Sequence, residues 1–264
     1  MTIVSHLQSR SSVPPAMLQD LTKSITKTGD YPVTHGGFGE IWKCSYQVDW
    51  GLIAVAVKSL LVYASDQLGE AMEKMTKVGT LMENHHNILS VYGYTYSFGS
   101  FMAIVSPWAE NGNLTTYLDL EDGHLTMVRR FQILRDITEG LLERLSGFLD
   151  LDSPRNFRWM ALELLGEPDD ELPIRPSKCS DVYSFGGIML QVLTGRPPYY
   201  YLSEAAVIQR IGSGVKPLRS RYPVFSDKYW YFIEECWSTV PQDRPLAERV
   251  VRAIGDEQDL LSHS

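Results

Sequence analysis

The sequence predicts an α+β chain in two parts, a small β lobe followed by a helical lobe. Two periodicities and the composition carry this. Apolar residues alternate with polar ones within the first 110 residues, at the period of a half-buried strand. From residue 127 onward they recur at three- and four-residue steps, the period of a helix face. The chain has 264 residues, 44% of them hydrophobic and 21% charged, so it can bury a substantial core as one large domain or two small lobes.

Residues 1–29 are polar and broken by Ser11, Ser12, Pro14 and Pro15, so they read as an extension outside the core, with a short helix over residues 17–25. Trp42, Cys44, Tyr46 and Val48 alternate as one strand, Trp50-Gly51 reads as a turn, and residues 52–58 return as a second strand. Residues 65–83, rich in Met, Glu and Lys, read as a helix. Two further strands are expected over residues 89–96 and 101–106, with a turn at 97–100. Domain boundaries follow at 1–29, 30–110 and 111–264.

In the second half, Met127, Val128, Phe131, Leu134, Ile137, Leu141 and Leu145 make one helix face, with Thr126 as N-cap. Ser180 is expected to cap an apolar helix through Val182, Phe185, Met189, Val192 and Leu193, ended by Gly195 and Pro197-Pro198. Shorter helices are expected over residues 226–237 and 246–254.

Lys and Arg number 24 against 32 Asp and Glu, a net charge of −8 without a basic run, which argues against nucleic acid and against an anionic membrane surface. Cys44, Cys179 and Cys236, odd in number and far apart, form neither a disulfide framework nor a zinc site. With no signal-like start and no long apolar run, a cytoplasmic protein is expected.

Thr34-His35-Gly36-Gly37-Phe38-Gly39-Glu40-Ile41 is a glycine cluster that opens a strand. A dinucleotide fold would open a helix there, and no Walker string occurs. By itself such a cluster reads as a simple hairpin turn. It gains meaning from Val55-Ala56-Val57-Lys58 on the returning strand, where alternation puts Ala56 and Lys58 on one face. There Ala56 can lie flat against an adenine ring while Lys58 reaches phosphate oxygens.

Together with the strings below, these motifs resemble a protein kinase domain of the tyrosine-kinase-like group, especially its expansion in mushroom-forming fungi. The resemblance runs from about residue 30 to 253. It implies a bilobal fold with a small antiparallel β lobe and a helical lobe, ATP with magnesium as cofactors, and a protein substrate or signalling partner. The sequence itself sets no oligomeric state. By resemblance Gly36, Gly37, Phe38, Gly39 and Ile41 cover the nucleotide, Ser106 is the gatekeeper, and the Pro107 carbonyl and Ala109 N–H meet the adenine edge. Glu73 is the helix partner of Lys58, with Glu70 as an alternative one turn earlier, although Glu73 stands about three residues too far from His86-Asn87-Ile88-Leu89. Arg158-Trp159-Met160-Ala161-Leu162-Glu163 resembles the end of an activation segment, and Ser180 to Gly186 the start of the buried helix. Pro241-Gln242-Asp243-Arg244-Pro245 supplies the arginine that the family pairs with Glu163.

Two motifs of the family are absent. None of the six histidines is followed two residues later by Asp, and no Asp-Phe-Gly occurs, so no catalytic residue and no magnesium site is assigned. Only residues 142–157 separate the helix that should lead into the catalytic loop from Arg158, where the family needs about sixty residues. Asp152 and Asn156 are spaced by four rather than five, without a second metal ligand, and read as a polar turn. ATP binding is accordingly expected to be weak or lost. Asp181, which in the family accepts hydrogen bonds from that loop, is expected to be exposed or to lack donors, weakening the helical lobe.

Overall fold

The computed structural model describes residues 19–36, 39–59, 86–98, 102–143, 157–165 and 176–263. They divide into two compact units, one ending at Glu110 and one beginning at Asn111.

The first unit is a seven-stranded sheet. Its strands are β1 (Gln19–Asp20), β2 (Ile25–Lys27), β3 (Thr34–Gly36), β4 (Gly39–Val48), β5 (Gly51–Ser59), β6 (Gly93–Thr95) and β7 (Ala103–Pro107). Their order is β1-β6-β7-β5-β4-β2, with β3 also on β4. Every pairing is antiparallel except β1 with β6. The β4–β5 hairpin turns through Asp49 and Trp50 into Gly51, whose φ of 136° suits glycine. Its register sets Trp42 opposite Val57 and Cys44 opposite Val55, so the alternation becomes one buried face with Ala103, Val105, Leu21 and Ile25.

Residues 19–27 correct one expectation. They form two strands joined by a turn rather than a helix, and Leu21 is 1% exposed, so this stretch belongs to the sheet and its core. Lys27 then lies over the Trp42 ring at 3.9 Å and the Phe98 ring at 4.8 Å, covering the core's edge with its aliphatic stem and charge. The strand expected over 89–96 is confined to β6. The helix expected over 65–83 lies outside the described residues.

The second unit holds six α-helices among the described residues: α1 (Leu114–Glu121), α2 (Met127–Glu143), α3 (Lys178–Thr194), α4 (Glu204–Gly212), α5 (Asp227–Cys236) and α6 (Ala247–Ser262). The Thr126 cap on α2 forms, its Oγ1 accepting from the Arg129 N–H at 3.3 Å. Phe131 and Leu134 are buried as the spacing predicts, whereas Val128 is 36% exposed. The cap of α3 is Ser177, not Ser180. The Ser180 N–H donates to Ser177 Oγ at 3.1 Å and the Ser177 N–H to Ser180 Oγ at 2.8 Å, a reciprocal capping box. Gly195 closes the helix at φ 68° as expected. The core gathers around α3, whose Val182, Phe185, Met189, Leu190 and Val192 are each at most 1% exposed.

Candidate nucleotide-binding site

Strand register assembles the site in the first unit. Gly36 pairs with Gly39 across the glycine turn, and Thr34 pairs with Ile41. Gly37 and Phe38 lie outside the described residues. Lys58 stands opposite Ile41 on one side and Ile104 on the other, while Ala56 stands opposite Lys43 and Ser106. Cross-strand partners share a face, so Ile41, Lys43, Ala56, Lys58, Ile104 and Ser106 form two adjacent rows on the side away from Val55 and Val57. All six are partly exposed, whereas Val55, Val57 and Val105 are fully buried.

The face therefore offers a small side chain and a cation beside a glycine turn. Removal from water disfavours the Lys58 ammonium and lowers its pKa from the ordinary lysine value. The base of the hairpin is fixed from both sides: the Glu40 N–H donates to Ser59 Oγ at 3.2 Å, and Ser59 Oγ donates to the Glu40 carbonyl at 3.3 Å. Pro107 occupies the last rung of β7 opposite Val55, and the Trp108 N–H donates to the Ala54 carbonyl at 3.4 Å. Ala109 is exposed. Glu73 and Glu70 lie outside the described residues.

In the second unit, the Arg244 guanidinium grips the Glu163 carboxylate through two hydrogen bonds of 2.5 and 2.8 Å. It also donates to the carbonyls of Ser238 and Cys179, each at 2.9 Å, so its buried charge is well paired. Burial opposes the Glu163 carboxylate, but the arginine outweighs it and holds the pKa below the usual value. Asp181 corrects the earlier expectation. It lies half-buried in the first turn of α3, where the helix dipole favours a carboxylate, and it is engaged rather than orphaned.

Sequence reasoning missed two residues here. Lys216 Nζ donates to the Tyr183 hydroxyl at 3.2 Å, and burial pushes its pKa down to about 8. No motif surrounds it. Arg158 was read only as part of a string, yet it donates to the carbonyls of Pro198, Tyr199 and Leu202 at 3.1, 2.6 and 2.9 Å. It thereby helps hold Tyr199 at φ 54°, a left-handed conformation unusual for a tyrosine.

The family of protein tyrosine and serine/threonine kinases matches residues 29–145 and 150–254. The chain belongs to that family. Among its relatives, the probable L-type lectin-domain containing receptor kinase I.2 of Arabidopsis thaliana is 26% identical over 288 aligned residues, covering 94% of this chain and 40% of the relative. Ephrin type-A receptor 3 of Danio rerio is 26% identical over 282 residues, covering 91% and 28%. The chain thus spans less than half the length of these two relatives. Among the described residues no helix is long and apolar enough to cross a membrane.

Proposed function

We propose that this kinase-family chain transfers no phosphate in its present form, and that the sheet face around Lys58 retains weak affinity for an adenine nucleotide. One observation carries the reading: the sequence has neither His-x-Asp nor Asp-Phe-Gly, and only residues 142–157 lie where both should fall. Phosphoryl transfer needs a carboxylate to accept the substrate hydroxyl proton and further carboxylate and amide ligands to hold magnesium. The residues present do not fit that metal. The alignments support the reading, since both are longer than the 264-residue chain and so need gaps opposite residues that it lacks. The family match also breaks off between 145 and 150, inside the same interval.

What remains suits a binding module. Lys58 supplies a point charge for phosphate oxygens, Ala56 a flat contact for a base, and the backbone of the glycine turn N–H donors. Its partner would be a signalling protein, in a reducing, cytoplasmic setting that fits the free thiols Cys44, Cys179 and Cys236. Kinship to the tyrosine-kinase-like group and its fungal expansion is our reading of the ordered strings, from the glycine cluster through Ile104–Leu114 and Arg158–Glu163 to Pro241–Pro245.

A second reading rests on the shape of the gap, a clean block between well-matched sequences. It holds that a longer product of the same gene carries the catalytic segment and phosphorylates proteins. Sequencing the transcript between the codons for Leu134 and Trp159 decides this. An in-frame insert of about forty-five codons bearing both motifs establishes the second reading. For the chain itself, calorimetric titration with ATP is expected to give an affinity weaker than micromolar, unchanged by magnesium. Tight, magnesium-enhanced binding contradicts the proposal.

A further inference from the structure

Lys43 is the one residue of the nucleotide-facing rows whose charge no recognised motif uses. It stands directly opposite Ala56, which stands directly opposite Ser106, so β4 contributes Lys43 to the same row as the two residues expected around the base. Its ammonium lies over the Trp108 ring at 4.7 Å and 3.8 Å from Glu110 Oε2. Trp108 and Glu110 follow β7 immediately, on either side of Ala109, whose N–H is the one expected to meet the adenine edge. Two elements that are not sheet neighbours are thus tied by one side chain, since β5 separates β4 from β7.

We propose that Lys43 is a positioning residue: its contacts with Trp108 and Glu110 hold the backbone of residues 107–110 in register with the glycine-bearing strand, and so set the edge that an adenine base would read. The inference deepens the nucleotide-binding reading of the same face and rests on it for its function. The geometry is one-sided, because the Trp108 N–H already closes the β5–β7 ladder at the Ala54 carbonyl, whereas Ala109 and Glu110 lie past that last rung and are exposed. The Lys43 contacts are the side-chain tie that reaches beyond it. Glu110 is 71% and Lys43 40% exposed at the side chain, so the ion pair adds little and the ring contact carries most of the tie.

Hydrogen exchange of the full chain without nucleotide tests the positioning role directly. Lys43→Met keeps the aliphatic stem and removes the charge; Lys43→Arg keeps a cation able to stack on the indole. Exchange at the Trp108 amide, which donates to the Ala54 carbonyl, is expected to rise about two- to fivefold in Lys43→Met, the factor a solvent-exposed cation–π contact supports, and to return toward wild type in Lys43→Arg. Amides of β4 and β5 should not change, which separates the effect from general loosening of the sheet. Unchanged exchange at the Trp108 amide in Lys43→Met overturns the proposal, as does equal loosening in Lys43→Arg.

ADP titration of the same three proteins separates this from the nucleotide reading. A matching fall in affinity in Lys43→Met, restored in Lys43→Arg, supports both. If wild type binds no ADP while the exchange pattern holds, the nucleotide reading fails and Lys43 still positions the segment. If ADP binds equally to all three, the link from Lys43 to base recognition is overturned.

Discussion

At the scale of single residues, buried polar groups in the second unit make the sharpest predictions. The Tyr199 N–H donates to the Tyr222 hydroxyl at 2.7 Å, and Tyr222 is 7% exposed. Tyr222→Phe leaves that donor without its partner, so it should lower unfolding free energy by about 1–3 kcal/mol in a urea titration, with little change in slope. Glu163→Ala strands the guanidinium of Arg244, whose side chain is fully buried, and should cost about 3–5 kcal/mol.

Lys216 adds a pH dependence. Its folded pKa of about 8 lies below the ordinary 10.5, so the unfolded chain binds the extra proton between those values. Its unfavourable contribution is therefore fully present below pH 8 and fades as pH rises toward 10.5. Cys44 and Cys236 are pushed up to about 11 and about 12, and Tyr183 to about 12, so they weaken the fold as pH rises past 9 and oppose this trend. The Lys216 contribution is read as the stability difference between wild type and Lys216→Met. That difference should shift in favour of wild type between pH 7 and pH 10; a gap constant with pH would contradict it.

At the scale of elements, caps and close helix contacts hold α3 in place. Ser177→Ala removes one half of the capping box and should cost about 1 kcal/mol. Gly187 has Trp159 Cδ1 only 2.9 Å from where a Cβ would stand, and Gly195 has φ 68° with the Asp122 carboxylate 2.5 Å from such an atom. Gly195→Ala should therefore destabilise more than Ser177→Ala in the same thermal melt.

These elements also show what a sequence reader could see. The β4–β5 hairpin was legible because the alternation of Trp42, Cys44, Tyr46 and Val48 and the turn at Gly51 fix the register together. β1 and β2 were not, because strands of two and three residues carry no period, and only tertiary contact buries Leu21 and Ile25. Ser177 and Ser180 stand three apart and cap each other, so composition alone does not say which is first. α1 and α4 went unread because eight- and nine-residue helices give barely two turns of pattern. α6 runs to Ser262 rather than residue 254 because its last turns are tied to α2, with Arg135 Nη1 donating to Gln258 Oε1 at 3.2 Å. Lys58 and Ala56 were legible as one face because alternation needs only the backbone, whereas the register of β7 adds Ser106 to it. Lys43 was not, because its contacts with Trp108 and Glu110 depend on the path of the chain after β7.

At the scale of the whole molecule, the proposal is that this kinase-family chain keeps a sheet face able to hold a nucleotide and transfers no phosphate. The most direct test of that claim is a magnesium-ATP phosphotransfer assay on the purified chain, scored on itself and on a generic protein substrate. No transfer above the protein-free background is expected, for wild type and Lys58→Ala alike. Magnesium-dependent transfer by wild type that disappears in Lys58→Ala would contradict it.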